Sequence, residues 1–215
     1  MPNHTSQLLV VTGDNSQLST LLEVVKSTTI NKETKKPYGF SLQSIVPMPE
    51  ALHTVSSPAR IVSEADYKKS LTEEKPFPGM GGPITAEMQK EYLEKYGADN
   101  WYNWAITHWG TKWDVYDVGE WQQEDNKATI IFQSAWSPVS KVILVLSERF
   151  PELTFTLKFA DEGGGFLGYE TYAEGVLADQ SEVNWTSDEG IELREELGCY
   201  FPDEDDEEEE SDEEE

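Results

Sequence analysis

The sequence predicts an α+β domain in which an antiparallel sheet of split βαβ type carries two helices on one face. Two β-branched runs, at residues 8–12 and 128–132, are each followed by an amphipathic helical pattern. Residues 153–159 alternate strictly between apolar and polar side chains, which indicates a strand with one buried face. Strands that alternate with helices in this way predict the split βαβ arrangement.

The first predicted unit is a strand, a helix and a second strand. Residues 8–12 read LLVVT and end at a Gly-Asp turn signal. A helix is predicted over residues 16–26, because apolar side chains recur there at i, i+3, i+4 and i+7. A second strand is predicted over residues 40–44, just before two closely spaced prolines.

The next segment has the composition of an insertion. Residues 50–84 contain four prolines and three glycines, with a short helix predicted at residues 63–71. A clearer helix covers residues 85–96, where a threonine provides the N-cap and a glycine follows the last turn. We therefore expect one domain over residues 1–202, with an insertion at about residues 50–100.

The second half repeats the strand-helix-strand order. An edge strand is predicted at residues 115–118 and a central strand at residues 128–132. Ser137 and Pro138 have the pattern of an N-cap and a first helical residue, which starts a helix that ends at Arg149. The alternating strand follows.

The C-terminal part of the domain is predicted to extend the sheet. Three glycines at residues 163–165 indicate a hairpin turn, and residues 166–177 then form a strand that pairs back as a hairpin extension. A final helix is predicted over residues 189–197. No internal repeat is visible in the sequence.

The chain carries a large excess of negative charge. It has 42 acidic and 16 basic residues, and twelve of the thirteen residues in the segment 203–215 are acidic. Removing that segment leaves a charge of −14 on residues 1–202. A segment so rich in carboxylates lacks the apolar surface needed to fold, so we expect a disordered tail. The acidic body repels nucleic acid and anionic membranes and attracts basic proteins.

Several classes of site are disfavoured by the sequence. The three histidines show no metal-binding spacing, and a single cysteine forms neither a disulfide framework nor a metal cage. The glycines at residues 163–165 follow two acidic residues and lack the lysine of a phosphate loop. We therefore expect no metal, no cofactor and no small-molecule substrate. The absence of a signal peptide or a long apolar run predicts the bacterial cytoplasm.

Several sequence blocks together resemble one family. The most specific are IVPMPE at residues 45–50 and WGTKWD at residues 109–114, supported by NWYNW at 100–104 and FQSAWSP at 132–138. These blocks resemble the YubB-like ferredoxin-like domain proteins found on plasmids and phages, over residues 1–177. The resemblance implies a ferredoxin-like fold and a mobile-element origin, and it implies no reaction. The acidic tail lies outside it.

A dense aromatic stretch is the strongest candidate for a binding surface. Its tryptophans either fill the core beside the helix at residues 85–96 or form a recognition patch, since Trp is enriched at binding hot spots. The candidate partner-binding residues combine this stretch with two carboxylates from the predicted hairpin: Trp101, Trp104, Trp109, Trp113, Glu170 and Glu174.

Two classes of function are compatible with these patterns. The first is a non-catalytic accessory protein of a phage or plasmid that binds a basic host protein through its acidic surface. Such a surface could mimic the phosphate array of DNA and inhibit a nuclease, a DNA-binding protein or a defence protein. The second is an enzyme for a small substrate, with His108 as a general base steered by Asp114. A structural or assembly role is a further alternative.

Overall fold

The protein is described by a computed structural model over residues 3–28, 30, 37, 39–72 and 81–199. The strands are β1 (His4–Thr12), β2 (Ile61–Val62), β3 (Ile84–Thr85), β4 (Gln122–Glu124), β5 (Lys127–Ala135), β6 (Thr154–Asp161), β7 (Leu167–Ala173) and β8 (Val176–Glu182). The helices are α1 (Asn15–Val25), α2 (Leu42–Ile45), α3 (Glu50–His53), α4 (Glu64–Ser70), α5 (Ala86–Tyr96), α6 (Trp101–His108), α7 (Ser140–Arg149) and α8 (Asp188–Leu197). The acidic segment 203–215 lies outside the described residues.

Six strands form one antiparallel sheet in the order β4-β5-β1-β6-β7-β8. The central strand β1 pairs antiparallel with β5 on one side and with β6 on the other. Strands β5 and β6 are consequently parallel to each other, and α7 connects them across β1. This is the split βαβ arrangement that the sequence predicts, and the fold is α+β. The short strands β2 and β3 form a separate parallel pair within the segment predicted as an insertion.

The core lies between this sheet and two helices on one of its faces. Helix α1 begins at the N-cap Asp14, whose carboxylate accepts a hydrogen bond from the Ser16 amide at 2.8 Å. The inward-facing residues of both helices are fully buried: Leu18, Leu21, Val25, Val142, Ile143 and Leu146. They pack on alternate residues of β1, β5 and β6. The predicted helices at residues 16–26 and 138–149, and the strands at 8–12, 128–132 and 153–159, are thus confirmed in type and position.

The predicted strand at residues 40–44 is wrong. This segment enters the short helix α2, so the first predicted strand-helix-strand unit contributes only β1 and α1 to the fold. Phe40 is buried because its ring stacks on Phe132, with ring centroids 4.8 Å apart. Its apolar character therefore reflects a tertiary contact, and not membership of a strand.

Three boundaries in the second half also differ from the prediction. Helix α7 begins at Ser140, because the hydroxyl of Ser137 donates to the Gly110 carbonyl at 2.6 Å and does not cap the helix. Residues 115–118 form a single bridge to β5 at Tyr116, and β4 occupies the edge. The predicted strand at 166–177 is a hairpin of β7 and β8.

Helix α8 covers the opposite face of the sheet. Leu193 and Leu197 are buried against Ala160 on β6 and Leu167 on β7, in a second and smaller core. The sequence predicts this helix, and its start at Asp188 follows the N-cap Ser187, which accepts from the Gly190 amide at 3.1 Å. Its position on the second face was not predicted. Within the described ranges, every helix is too short or too polar to cross a bilayer.

Replacing Leu146 with alanine tests the main core. Leu146 has no solvent exposure, so we expect Leu146→Ala to lower the free energy of unfolding by about 2–5 kcal/mol, from lost burial and the cavity left behind. Leu93 on α5 is 49% exposed, and Leu93→Ala should change stability by about 0.5 kcal/mol or less. Denaturant unfolding measures both variants. Equal losses in the two would contradict the assigned face of α7.

Candidate functional site

Helix α6 places the first tryptophans of the aromatic stretch. Asn100 is buried and caps the helix by accepting from the Asn103 amide at 3.0 Å. Its side-chain amide donates in turn to Asp99 at 2.7 Å. This cap sets the rotation of α6, which buries Trp104 and leaves Trp101 half-buried.

The loop after α6 is tied to the end of β5. Thr111 is fully buried, and its hydroxyl donates to the Ala135 carbonyl at 2.8 Å and accepts from the Ala135 amide at 3.2 Å. Lys141 at the start of α7 donates to the Ile106 and Thr107 carbonyls at the C-terminal end of α6. These bonds hold the turn that presents Lys112 and Trp113.

A cleft of about 420 Å³ opens beside this turn. We call it the aromatic cleft, and its lining residues are Ser27, Thr28, Ser41, Gln43, Met48, His53, Trp101, Trp109, Lys112, Trp113 and Asp114. The residues come from four separate parts of the chain: the end of α1, the start of α2 through α3, α6, and the loop after α6. Only the tertiary fold brings them together.

The four candidate tryptophans have different environments. Trp104 and Trp109 are 4% and 3% exposed, with their rings edge-to-face at 5.4 Å, so they belong to the core. The indole N–H of Trp109 is also committed to the Val46 carbonyl at 2.8 Å. For Trp104 and Trp109 this burial matches the core alternative, one of the two that the sequence leaves open. Trp113 is 36% exposed and Trp101 is half-buried, so these two present ring surface to the cleft.

A lysine lies between two exposed indoles at the mouth of the cleft. The ammonium of Lys112 is 4.6 Å from the ring centroid of Trp113 and 4.9 Å from that of Trp136, which is a cation–π contact on both sides. Trp136 is 41% exposed and has a φ of 72°, in the left-handed region that bulky residues rarely adopt. Trp136 therefore combines a strained backbone with a large apolar ring that is exposed to solvent.

Asp114 stabilises the start of α2. Its carboxylate accepts from the Ser41 hydroxyl and the Leu42 amide, both at 2.7 Å, and from the Val115 amide at 2.8 Å. His108 instead stacks on Trp104, with ring centroids 4.4 Å apart. Within the described residues, the hydrogen bonds of Asp114 therefore go to its own loop and to α2. The hypothesis that Asp114 steers His108 as a general base is not supported by this geometry.

The two candidate carboxylates of the hairpin lie away from the cleft. Glu170 on β7 accepts a hydrogen bond from the Tyr172 hydroxyl at 2.7 Å. Burial of Tyr172, followed by this bond and the charge of Glu170, raises the pKa of that phenol well above its usual range. Glu174 occupies the β7–β8 turn with a φ of 52°, beside Gly175 at 74°. The two carboxylates therefore lie on the hairpin, and neither lines the cleft.

Exposed carboxylates on α8 and on the edge strand β8 form an acidic surface. We call it the acidic face, and it consists of Asp179, Asp188, Glu189, Glu192 and Glu195, all exposed. The charge of Asp179, then partial burial and the charge of Glu189, raise the pKa of Tyr169. Asp179 on β8 and Glu189 on α8 therefore both lie near this phenol.

Among the described residues, no three or more His, Cys, Asp or Glu side chains come together in a group that could hold a metal ion.

Comparison with known proteins identifies the family. The sequence model for the "Ferredoxin-like domain in Api92-like protein" matches residues 109–215. A protein of Escherichia coli (strain K12), described as "Uncharacterized protein YubB", is 35% identical over 95 residues. The chain belongs to the YubB-like ferredoxin-like family. The alignment covers 42% of this chain and 65% of the YubB protein, so just under two thirds of that relative is matched. Both descriptions refer to a fold or a name, and neither refers to a reaction.

The family match extends further along the chain than the resemblance traced from sequence blocks. It continues to residue 215 and therefore includes α8 and the acidic segment. A crystal structure of the protein api92 from Yersinia pseudotuberculosis aligns with a TM-score of 0.48 at 11% identity, over 86% of this chain and 99% of that one.

Several cleft residues were not identified from the sequence. Ser41 lies in the segment predicted as a strand, Met48 lies in the loop after it, and His53 is one of the three histidines without metal-binding spacing. Trp136 neighbours the cleft through Lys112 without lining it, and the sequence marks it only as part of the FQSAWSP block. Its position, between the end of a strand and a Ser-Pro pair, was a usable signal, because a connecting segment seldom buries so large a ring.

Removing the Asp114 carboxylate tests its structural role. We expect Asp114→Ala to lower the free energy of unfolding by about 1–3 kcal/mol, because the buried Leu42 amide and the Ser41 hydroxyl lose their acceptor. Glu124→Ala, on the exposed edge strand β4, serves as the matched control and should be nearly neutral. Denaturant unfolding provides the measurement. A loss below about 0.5 kcal/mol in Asp114→Ala would show that α2 does not depend on this carboxylate.

Proposed function

We propose that the protein is a non-catalytic binding protein that recognises a basic partner protein through the acidic face. The single observation that carries this proposal is the composition of the exposed side of α8. The helix contains five carboxylates and one basic residue, and all five carboxylates are exposed. Its apolar residues Leu193 and Leu197 face the sheet, so the charged side is the one a partner would meet.

The spacing of these carboxylates supports recognition by a protein that grips DNA. They fall at residues 188, 189, 192, 195 and 196, a span of about 12 Å at 1.5 Å per residue. That is about one charge per 2–3 Å, which is close to the density of duplex DNA, about one per 1.7 Å. Lys158 pairs with Glu196 and offsets part of the charge at one end.

The charge of the whole molecule supports the same proposal. Residues 1–202 carry −14 without the acidic segment, and that segment follows α8 directly in the sequence. A partner with a positive groove would be drawn to this end of the molecule from a distance, because attraction between opposite charges raises the association rate. We infer that the partner is a host nuclease, a DNA-binding regulator or a defence protein, and that the protein acts as a DNA mimic of a phage or plasmid.

The enzyme alternative has less support from the geometry. His108 stacks on Trp104, and the Asp114 carboxylate is occupied by α2 and by its own loop. A general base needs an oriented partner and access to a substrate, and His108 does not line the aromatic cleft. A binding role therefore explains the arrangement of charged groups better than a catalytic one.

The proposal is tested with bacterial proteins that are first purified on immobilised duplex DNA. We expect part of this DNA-binding fraction to bind the immobilised full-length protein at about 0.1 M salt and to elute at about 1 M, where the Debye length falls from about 10 Å to about 3 Å. Free duplex DNA should displace the same proteins, because both ligands occupy one basic groove.

A pair of matched triple variants locates the surface. Glu189, Glu192 and Glu195 on α8, changed to Gln, should reduce retention at least several-fold. Glu87, Glu91 and Glu94 on α5 are equally exposed and change the net charge by the same amount, so their change to Gln should have little effect. Equal retention by the two variants, no displacement by DNA, or no retention at low salt would each reject the proposal.

A further inference from the structure

We propose that the aromatic cleft binds a neutral ligand of the nucleobase class, as a free base or a nucleoside. The cleft lies beside the loop after α6, and none of its lining residues belongs to the acidic face on α8 and β8. It goes beyond the binding role proposed above and does not depend on it. The sequence predicts no small-molecule substrate, because it shows neither a metal-binding spacing nor a phosphate loop. The residues that line the cleft are scattered over residues 27–114 and form no local motif.

The size of the cleft matches a small molecule. Its volume of about 420 Å³ falls within the usual range for ligand sites, about 300–1,000 Å³. Met48 and Trp109 both line the cleft, and Trp109 is fixed through its indole N–H. A protein partner would instead need a broader and flatter surface.

The walls favour a flat aromatic ring. Trp101 and Trp113 both line the cleft and keep part of their ring surface open. Bases stack on such side chains because every base has a π face. A saccharide lacks a planar π face, so two indoles are a better match for a base. Lys112 and His53 also line the cleft and can donate hydrogen bonds to the carbonyl oxygens or ring nitrogens of a base.

The charges at the cleft select for a neutral ligand. Lys112 contributes one positive charge and Asp114 one negative charge, and both line the cleft. The ammonium of Lys112 already faces the ring of Trp113, so a cationic ligand would meet a like charge at the site. A ligand with several phosphates is opposed by the charge of −14 on residues 1–202. A nucleoside carries the stacking ring without those phosphates.

The cleft is also held in place before a ligand binds. Asp114 is fixed by three short hydrogen bonds, and the loop is anchored at Thr111. The ammonium of Lys112 lies over the ring of Trp113, which also lines the cleft. Binding therefore requires little ordering of side chains, which is a cost that otherwise lowers affinity.

Calorimetric titration of the full-length protein with adenosine and with uridine tests the proposal. We expect at least one of them to bind with a dissociation constant of about 0.1 mM, the affinity usual for a ligand of that size. Trp113→Ala should weaken binding about tenfold, because one stacking surface is lost. Trp113→Phe keeps an aromatic ring and should restore most of the affinity. Adenosine monophosphate should bind more weakly than adenosine.

Trp136→Ala is the matched control. Trp136 is as exposed as Trp113 and contacts the same lysine, but it does not line the cleft. Alanine leaves the backbone requirement at this position unchanged, and we expect binding to fall less than twofold. Equal losses in the two variants would place the ligand on the exposed indoles and reject the cleft. Far-ultraviolet circular dichroism verifies that each variant is folded.

Other outcomes separate this proposal from the one above. Binding of maltose in place of either nucleoside, or no binding of either nucleoside at millimolar concentration, would overturn the nucleobase assignment. The triple variant of α8 should bind adenosine as the wild type does, because its carboxylates lie outside the cleft. Loss of the basic partner in that variant, together with retained nucleoside binding, would support both proposals independently.

Discussion

A buried hydrogen-bond network around Gln7 is the constraint on which the rest of the structure depends. Gln7 lies on the central strand with no solvent exposure, and its amide donates to the Ser134 hydroxyl at 2.6 Å while accepting from the Val139 amide at 3.0 Å. The Ser134 hydroxyl donates onward to the Ser137 carbonyl at 2.6 Å. A buried amide without these partners would be costly, so the network fixes where β5 ends and where α7 can begin.

This network also determines where the cleft forms. Ser137 extends it to the Gly110 carbonyl, and Thr111 binds both backbone groups of Ala135, so the loop after α6 follows the end of β5. Lys141, on the first turn of α7, donates hydrogen bonds to carbonyls at the C-terminal end of α6. The aromatic cleft is thus a consequence of core polar contacts in a region where three elements meet.

The acidic face and the exposed indoles around Lys112 lie on different parts of the molecule. Carboxylates accumulate along α8 and β8, where the helix covers the second face of the sheet, while the exposed indoles gather around Lys112 on the other side of the core. Open edge strands invite pairing with other chains, and Asp179 and Glu182 on the exposed strand β8 oppose such pairing by repulsion. The acidic face therefore serves solubility as well as any recognition. The cleft, with balanced charge, is suited to a different ligand.

The amino-acid sequence by itself determined the fold class, the family and the acidic character of the protein. Local periodicity was sufficient to predict the elements β1, α1, β5, α7 and β6, because each of them buries one regular face. Periodicity failed at Phe40, where ring contacts with Phe132 and Trp121 and a carboxylate from a distant loop favour α2 over a strand. Only the tertiary structure decided that Trp104 and Trp109 are core and that Trp113 and Trp136 are exposed. The reason is physical: an indole has the same composition in either environment, and its burial depends on contacts between elements far apart in the chain.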